Sequence, residues 1–180
     1  METTFRDYLS FGQIGESRIA GWFKRKGYSV LPVYEKEINS GKGPRFFTPH
    51  GKLIALDMLV INKLARKVFW IEAKHKTAFT WHRNTGEWVT GIDLKHYGDY
   101  CSLQKLSPFP VWLLFLHLGG QAKDSPAQSP AGLFGGELGY LQKHEHHRHR
   151  NWGIGGMVYW AHKTLREIAN LEEVTQAAQS

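Results

Sequence analysis

Cysteine is nearly absent from this chain of 180 residues, which carries only Cys101. A single thiol excludes an intramolecular disulfide and a multi-cysteine zinc centre. Long apolar runs are absent too: no stretch approaches the roughly 20 residues that a membrane span needs. The first residues, with Glu2, Arg6 and Asp7, lack the apolar run of a secretory signal. The expectation is a cytoplasmic protein with no membrane partner. Acidic residues are the minority, 16 against 23 Lys and Arg, so the formal charge of +7 favours a polyanionic partner. Internal repeats are missing. A hydrophobic content of 42% is enough to bury one substantial core and predicts a single domain over residues 1–180.

Against that background a few charges stand out by their surroundings. Leu53 to Ile61 reads LIALDMLVI, apolar on both faces of a strand drawn through it, and Asp57 is its only ionisable residue. An unpaired buried carboxylate costs roughly several kcal/mol, so it must be protonated, paired with a cation or bound to a metal. The next apolar run, Val68 to Lys74, contains Glu72-Ala73-Lys74. At period 2, Phe69, Ile71 and Ala73 share one face while Trp70, Glu72 and Lys74 share the other, so Glu72 and Lys74 project side by side. Two carboxylates held close together suit a hard divalent cation, Mg²⁺ or Mn²⁺. With a lysine beside them they form parts for phosphodiester hydrolysis. A structural ion pair of Lys74 with Glu72 or Asp57 is the other reading. On a predicted helix over Gln13 to Lys26, Glu16 shares a face with Ile19, Ala20 and Phe23 and points toward the sheet, unless it curls out to Arg18 or Lys24.

An acid on a first helix, an acid on a strand and E-x-K on the next resembles the PD-(D/E)XK nuclease superfamily, in particular archaeal-type and phage Holliday junction resolvases. The resemblance spans roughly Gly12 to His117, and Leu56 stands where the motif's name has proline. It implies a restriction-endonuclease-like α/β core, a central mixed β-sheet flanked by helices in the order αβββαβ. It also implies that Asp57, Glu72 and the carbonyl of Ala73 hold Mg²⁺ or Mn²⁺. Lys74 then serves the transition state or the attacking water, and Glu16 completes an outer shell or a second metal site. The implied activity is endonucleolytic cleavage of duplex or branched DNA by a homodimer. A repair, restriction-type or RNA-directed nuclease, a non-catalytic nucleic-acid-binding protein of the same fold, and an interaction protein without a nucleic-acid partner are the alternatives.

Elsewhere, Tyr28 to Tyr34 predicts a strand, Asn39 to Pro49 a basic loop with Lys42 and Arg45, and Phe79 to Ile92 a hairpin with Trp81 facing Trp88. Trp70, Trp81 and Trp88 are candidates for stacking on bases. Asp93 is a candidate N-cap for a helix reaching about Leu106. Tyr97, Tyr100 and Gln104 fall where superfamily members place site contacts, with packing as the other reading. Val111 to Leu118, VWLLFLHL, predicts a strand buried on both faces. Residues 121–151 predict a mobile insertion rich in Gly, Pro and His. Within it, Lys143 to Arg150 reads KHEHHRHR: a basic loop beside nucleic acid, inert surface, or a site for Zn²⁺, Ni²⁺ or Cu²⁺. Gly156 to Ala161 predicts an edge strand, and Thr164 to Ala178 a closing helix with Leu165, Ile168, Ala169 and Leu171 inward.

Overall fold

The computed structural model describes residues 5–33, 44–49, 51–153 and 155–176. In chain order, α1 (Phe5–Arg25) leads to β1 (Ser29–Pro32), β2 (Arg45–Thr48), β3 (Gly51–Ile54), β4 (Met58–Asn62) and β5 (Lys67–Lys76). A hairpin of β6 (Thr80–His82) and β7 (Glu87–Asp93) precedes α2 (Leu94–Leu106) and β8 (Val111–Leu118). Then come β9 (Ala131–Glu137), α3 (Leu138–Leu141), β10 (His147–His149), β11 (Met157–Ala161), β12 (Arg166–Ala169) and α4 (Leu171–Thr175). The principal sheet runs β1-β4-β5-β8-β9-β12; only β5 and β8 pair in parallel. A second sheet runs β10-β11-β7-β6. The fold is therefore mixed α/β, and α1, β1, β4, β5, α2 and β8 give the expected αβββαβ order of a restriction-endonuclease-like core.

Local chemistry explains the frame. Gly27, at φ +84°, ends α1 in a Schellman turn, with Tyr28 N–H donating to the Phe23 carbonyl at 3.0 Å. Along β8, Val111, Leu113 and Phe115 enter one apolar cluster with α2 and the second sheet, while Leu114 and Leu116 enter another with Ile19, Trp22 and Phe23 of α1. Both faces of the central strand are buried, and its uninterrupted apolar run follows from that. Each such side chain contributes roughly 1.5–3 kcal/mol on burial. In the β6–β7 hairpin Trp81 and Trp88 are cross-strand partners with ring centroids 5.0 Å apart. No helix is long and apolar enough to cross a membrane among the described residues.

Five segments differ from expectation. Leu53 to Ile61 is not one strand: β3 pairs with β2 in a separate ribbon, the chain bends at Ala55 to Asp57, and β4 begins at Met58. Of the basic loop, Arg45 lies in β2, while Lys42, like Tyr34 at the end of the first predicted strand, lies outside the described residues. Residues 121–151 hold β9, a buried strand of the principal sheet, followed by α3 and β10. The glycines there serve close packing, since a Cβ on Gly135 would collide with the Leu113 carbonyl of β8. The closing helix is instead β12 plus the short α4; a register shift between Glu167 and Ala169 breaks the alternation and mimics helical spacing. Ala178 lies outside the described residues. β11 is an interior strand of the second sheet, between β10 and β7, and not an edge.

Candidate active site

β4 begins too late to pair with the end of β5, and this gap builds the site. The last register pair is Met58 with Ile71, so Ala73 faces no strand on that side. The Asp57 carboxylate fills the place, accepting the Ala73 N–H at 2.7 Å. Trp70 N–H points the other way, to Pro110 of the segment entering β8. By strand alternation the Ala73 carbonyl therefore points toward Asp57. Glu72 and Lys74 lie on the α2 face. Glu72 is 2% exposed, and its Oε1 accepts from both Lys74 Nζ and the Tyr100 hydroxyl of α2.

Glu16 arrives from the opposite face. Helix α1 packs so tightly on β5 that a Cβ at Gly15 would collide with His75. The His75 ring stacks on Phe11 at 3.8 Å, and its Nδ1 contacts the Phe11 carbonyl at 2.7 Å. Glu16 and Asp57 then line a cavity of about 200 Å³ together with Gln13 and Ser17. The four charged residues singled out in the sequence are thus gathered at one opening of the sheet. Asp57 occupies the bend before β4, not the strand interior.

Their electrostatics are those of acids short of cations. Burial, then the charge of Glu72, pushes the Asp57 carboxyl well above its ordinary range; Lys74 and the Ala73 N–H only partly oppose this. Burial and Glu72 raise Glu16 as well. Burial alone would lower Lys74, but Glu72 and Asp57 hold its ammonium above the usual lysine value. Burial and Glu72 push the Tyr100 phenol well up, so it remains a proton donor to Glu72.

The fit of a divalent cation is tested by one atom. Glu72 Oε2 is buried and has no hydrogen-bond partner among the described residues. A buried carboxylate oxygen left bare is costly, and a hard cation satisfies it. Among the described residues no group of three or more His, Cys, Asp or Glu side chains is arranged to hold a metal. Mg²⁺ does not require three, since it is commonly bound through one or two carboxylates and keeps several waters. Asp57, Glu72 and the Ala73 carbonyl are the oxygen donors that the sequence resemblance implies for such a site.

No protein-family profile matches the chain, and no curated protein matches it. A solved structure does. Hjc, a Holliday junction resolvase from the archaeal hyperthermophile Archaeoglobus fulgidus, aligns with a TM-score of 0.50 over 91% of this chain and 99% of its own, at 11% sequence identity. The two proteins share a fold.

Other residues at the opening were not singled out. Lys76 continues the alternation of Glu72 and Lys74, and burial followed by the charge of Lys74 brings it down to about 8. The repeat E-A-K-H-K carried that signal. His96 of α2, lowered by burial and then by Lys74, lies 4.0 Å from Asp93. Asp93 holds the N-cap position of α2 without a side-chain capping bond. Of the three α2 residues noted in the sequence, only Tyr100 reaches the site: Tyr97 donates to Glu145, and Gln104 Oε1 is buried without a partner among the described residues.

A stability test reads this charge imbalance directly. The folded protein holds a proton on Asp57 more tightly than the unfolded chain does, so with metal chelated its stability falls as pH rises through and above the ordinary Asp value of about 4. Asp57→Asn keeps an acceptor for Ala73 and removes the charge. The variant is expected to melt several degrees above the wild type at neutral pH in EDTA, at about 2–4 °C per kcal/mol. The difference should close at about pH 4, or on adding Mg²⁺ to the wild type. Equal melting temperatures across pH would refute the charge imbalance.

Proposed function

We propose that the chain is a metal-dependent endonuclease, a single nuclease domain hydrolysing phosphodiester bonds in DNA. The carrying observation is the buried, unpartnered Glu72 Oε2 beside Asp57 and Lys74 at the sheet gap. Asp57, Glu72 and the Ala73 carbonyl are the ligands, and Glu16 belongs to an outer shell or a second metal. Bound there, Mg²⁺ or Mn²⁺ supplies Lewis-acid polarisation of the phosphate and a water of lowered pKa. Lys74 neutralises charge developing on the phosphate oxygens or positions the attacking water, and Tyr100 fixes the Glu72 carboxylate by donating to Oε1. The basic composition supports a nucleic-acid partner. The fold shared with an archaeal Holliday junction resolvase supports branched DNA as the substrate and a homodimer as the acting form, because a symmetric junction needs two cuts.

A second reading keeps the fold without the activity. It is favoured by the bond that Lys74 already makes to Glu72 Oε1, which reads as a structural pair. Cleavage of an end-labelled four-way junction and a linear duplex of matched sequence, in Mg²⁺, Mn²⁺ or EDTA, separates the two. Symmetric nicks in the junction that require metal are expected. Binding without cutting in every metal would establish the second reading. Affinity in either case should fall steeply with salt.

A further inference from the structure

The second sheet turns one face to the apolar core, through Val158 and Trp160, and carries an aromatic row on the other. Cross-strand pairing puts His147 beside Tyr159 and His149 beside Met157. The rings of His147 and Tyr159 stack at 4.6 Å and 4°, and His82 of β6 tilts against His147 at 4.5 Å. His149 stacks on Trp152 at 4.3 Å, and Trp152 is 53% exposed. These five rings line a cavity of about 520 Å³, within the range of small-molecule sites. Lys123 and Arg83 are also in its lining; Arg83 is paired with Asp124, while Lys123 makes no ion pair among the described residues. Burial, then the neighbouring imidazoles, lowers His147 to about 4, which leaves its ring neutral.

We propose that this cavity binds unpaired nucleotides of a DNA substrate, with bases stacked on Trp152 and the imidazoles and phosphates met by Lys123 and Arg83. The inference rests on the nucleic-acid reading above and adds the substrate's form. Only an unpaired base offers a free ring face, because the faces in a duplex are already stacked. A metal is the weaker occupant: His146 Nδ1 faces His147 Nδ1 at 2.7 Å, and His146 Nε2 is engaged with Glu87 at 3.0 Å. The row also leads toward the candidate active site. Met157 pairs in register with Asp93, whose carboxylate acts on Lys76 and His96, and both of these feel the charge of Lys74. A strand lying on the rings would enter the sheet opening from this side.

The test uses the full chain in EDTA, so that nothing is cut, with a labelled oligo-dT strand and a blunt duplex of equal length. Trp152→Ala is expected to weaken oligo-dT binding about tenfold, the loss of one base stack. Trp152→Phe should restore most of it, and duplex binding should be unchanged. Trp152 is half exposed in a loop, so matched melting temperatures provide the folding control. Oligo-dT binding that is absent, or indifferent to Trp152→Ala, while the duplex still binds would overturn the cavity's role and leave the nuclease reading standing. Failure to bind either form would overturn both.

Discussion

Glu72→Gln is expected to abolish cleavage while leaving a folded, DNA-binding protein. The substitution keeps the shape of the side chain and an acceptor for the Tyr100 hydroxyl, but it removes the charge facing Lys74 and any divalent cation. Loss of a charge-stabilising group in a desolvated site costs on the order of 10²–10³-fold in rate, and a metal ligand costs at least as much. The check is single-turnover cleavage of an end-labelled four-way junction, with affinity measured in parallel under EDTA. Binding comes mainly from Lys and Arg contacts to phosphate and should be kept or slightly strengthened as a negative charge disappears. Wild-type cleavage rates in Glu72→Gln would remove Glu72 from the chemistry, and its bare Oε2 would then need another explanation.

What the sequence disclosed about this site depended on alternation. Glu72 and Lys74 sit two residues apart in a strand, so their shared face was fixed once the strand was recognised, and Tyr100 follows from helix α2 packing on that face. The place of Asp57 was not readable. LIALDMLVI alternates no differently where the chain leaves one ribbon and enters another, because both halves bury apolar side chains. The gap beside Ala73 is a tertiary fact, created by where β4 starts. Glycine misled in the same way. Gly135 and Gly136 read as loop residues, yet they are small because Leu113 of β8 and Leu141 of α3 press against them. The approach of α1 at Gly15, which sets Glu16 over the opening, is another contact visible only in three dimensions.

Lys74→Met should have the largest effect on stability. Among the described residues, Lys74 is the one cation acting on Asp57, Glu72 and Glu16 together. Removing it leaves these carboxylates without compensation, a change worth about 3–5 kcal/mol for a buried ion pair broken on one side. At about 2–4 °C per kcal/mol, the melting temperature in EDTA should fall by roughly 10 °C at neutral pH. The sign with pH follows from the raised acids. In the variant the native state binds protons more tightly than the unfolded chain, so its deficit is greatest at neutral pH and shrinks as the solution approaches about pH 4. On the alkaline side the folded Lys74 value is raised, so in the wild type its stabilisation is complete below the ordinary lysine value and is lost as pH rises from there through the folded one. Mg²⁺ should recover part of the variant's stability by supplying positive charge, without restoring cleavage, because the cation does not replace an ammonium at the phosphate. A double variant, Glu72→Leu with Lys74→Met, removes both partners and should be more stable than Lys74→Met alone, since neither charge is left stranded. If the double variant is instead the less stable of the two, the Glu72–Lys74 pair is a net source of folding energy, and the second, structural reading of the site gains at the expense of the catalytic one.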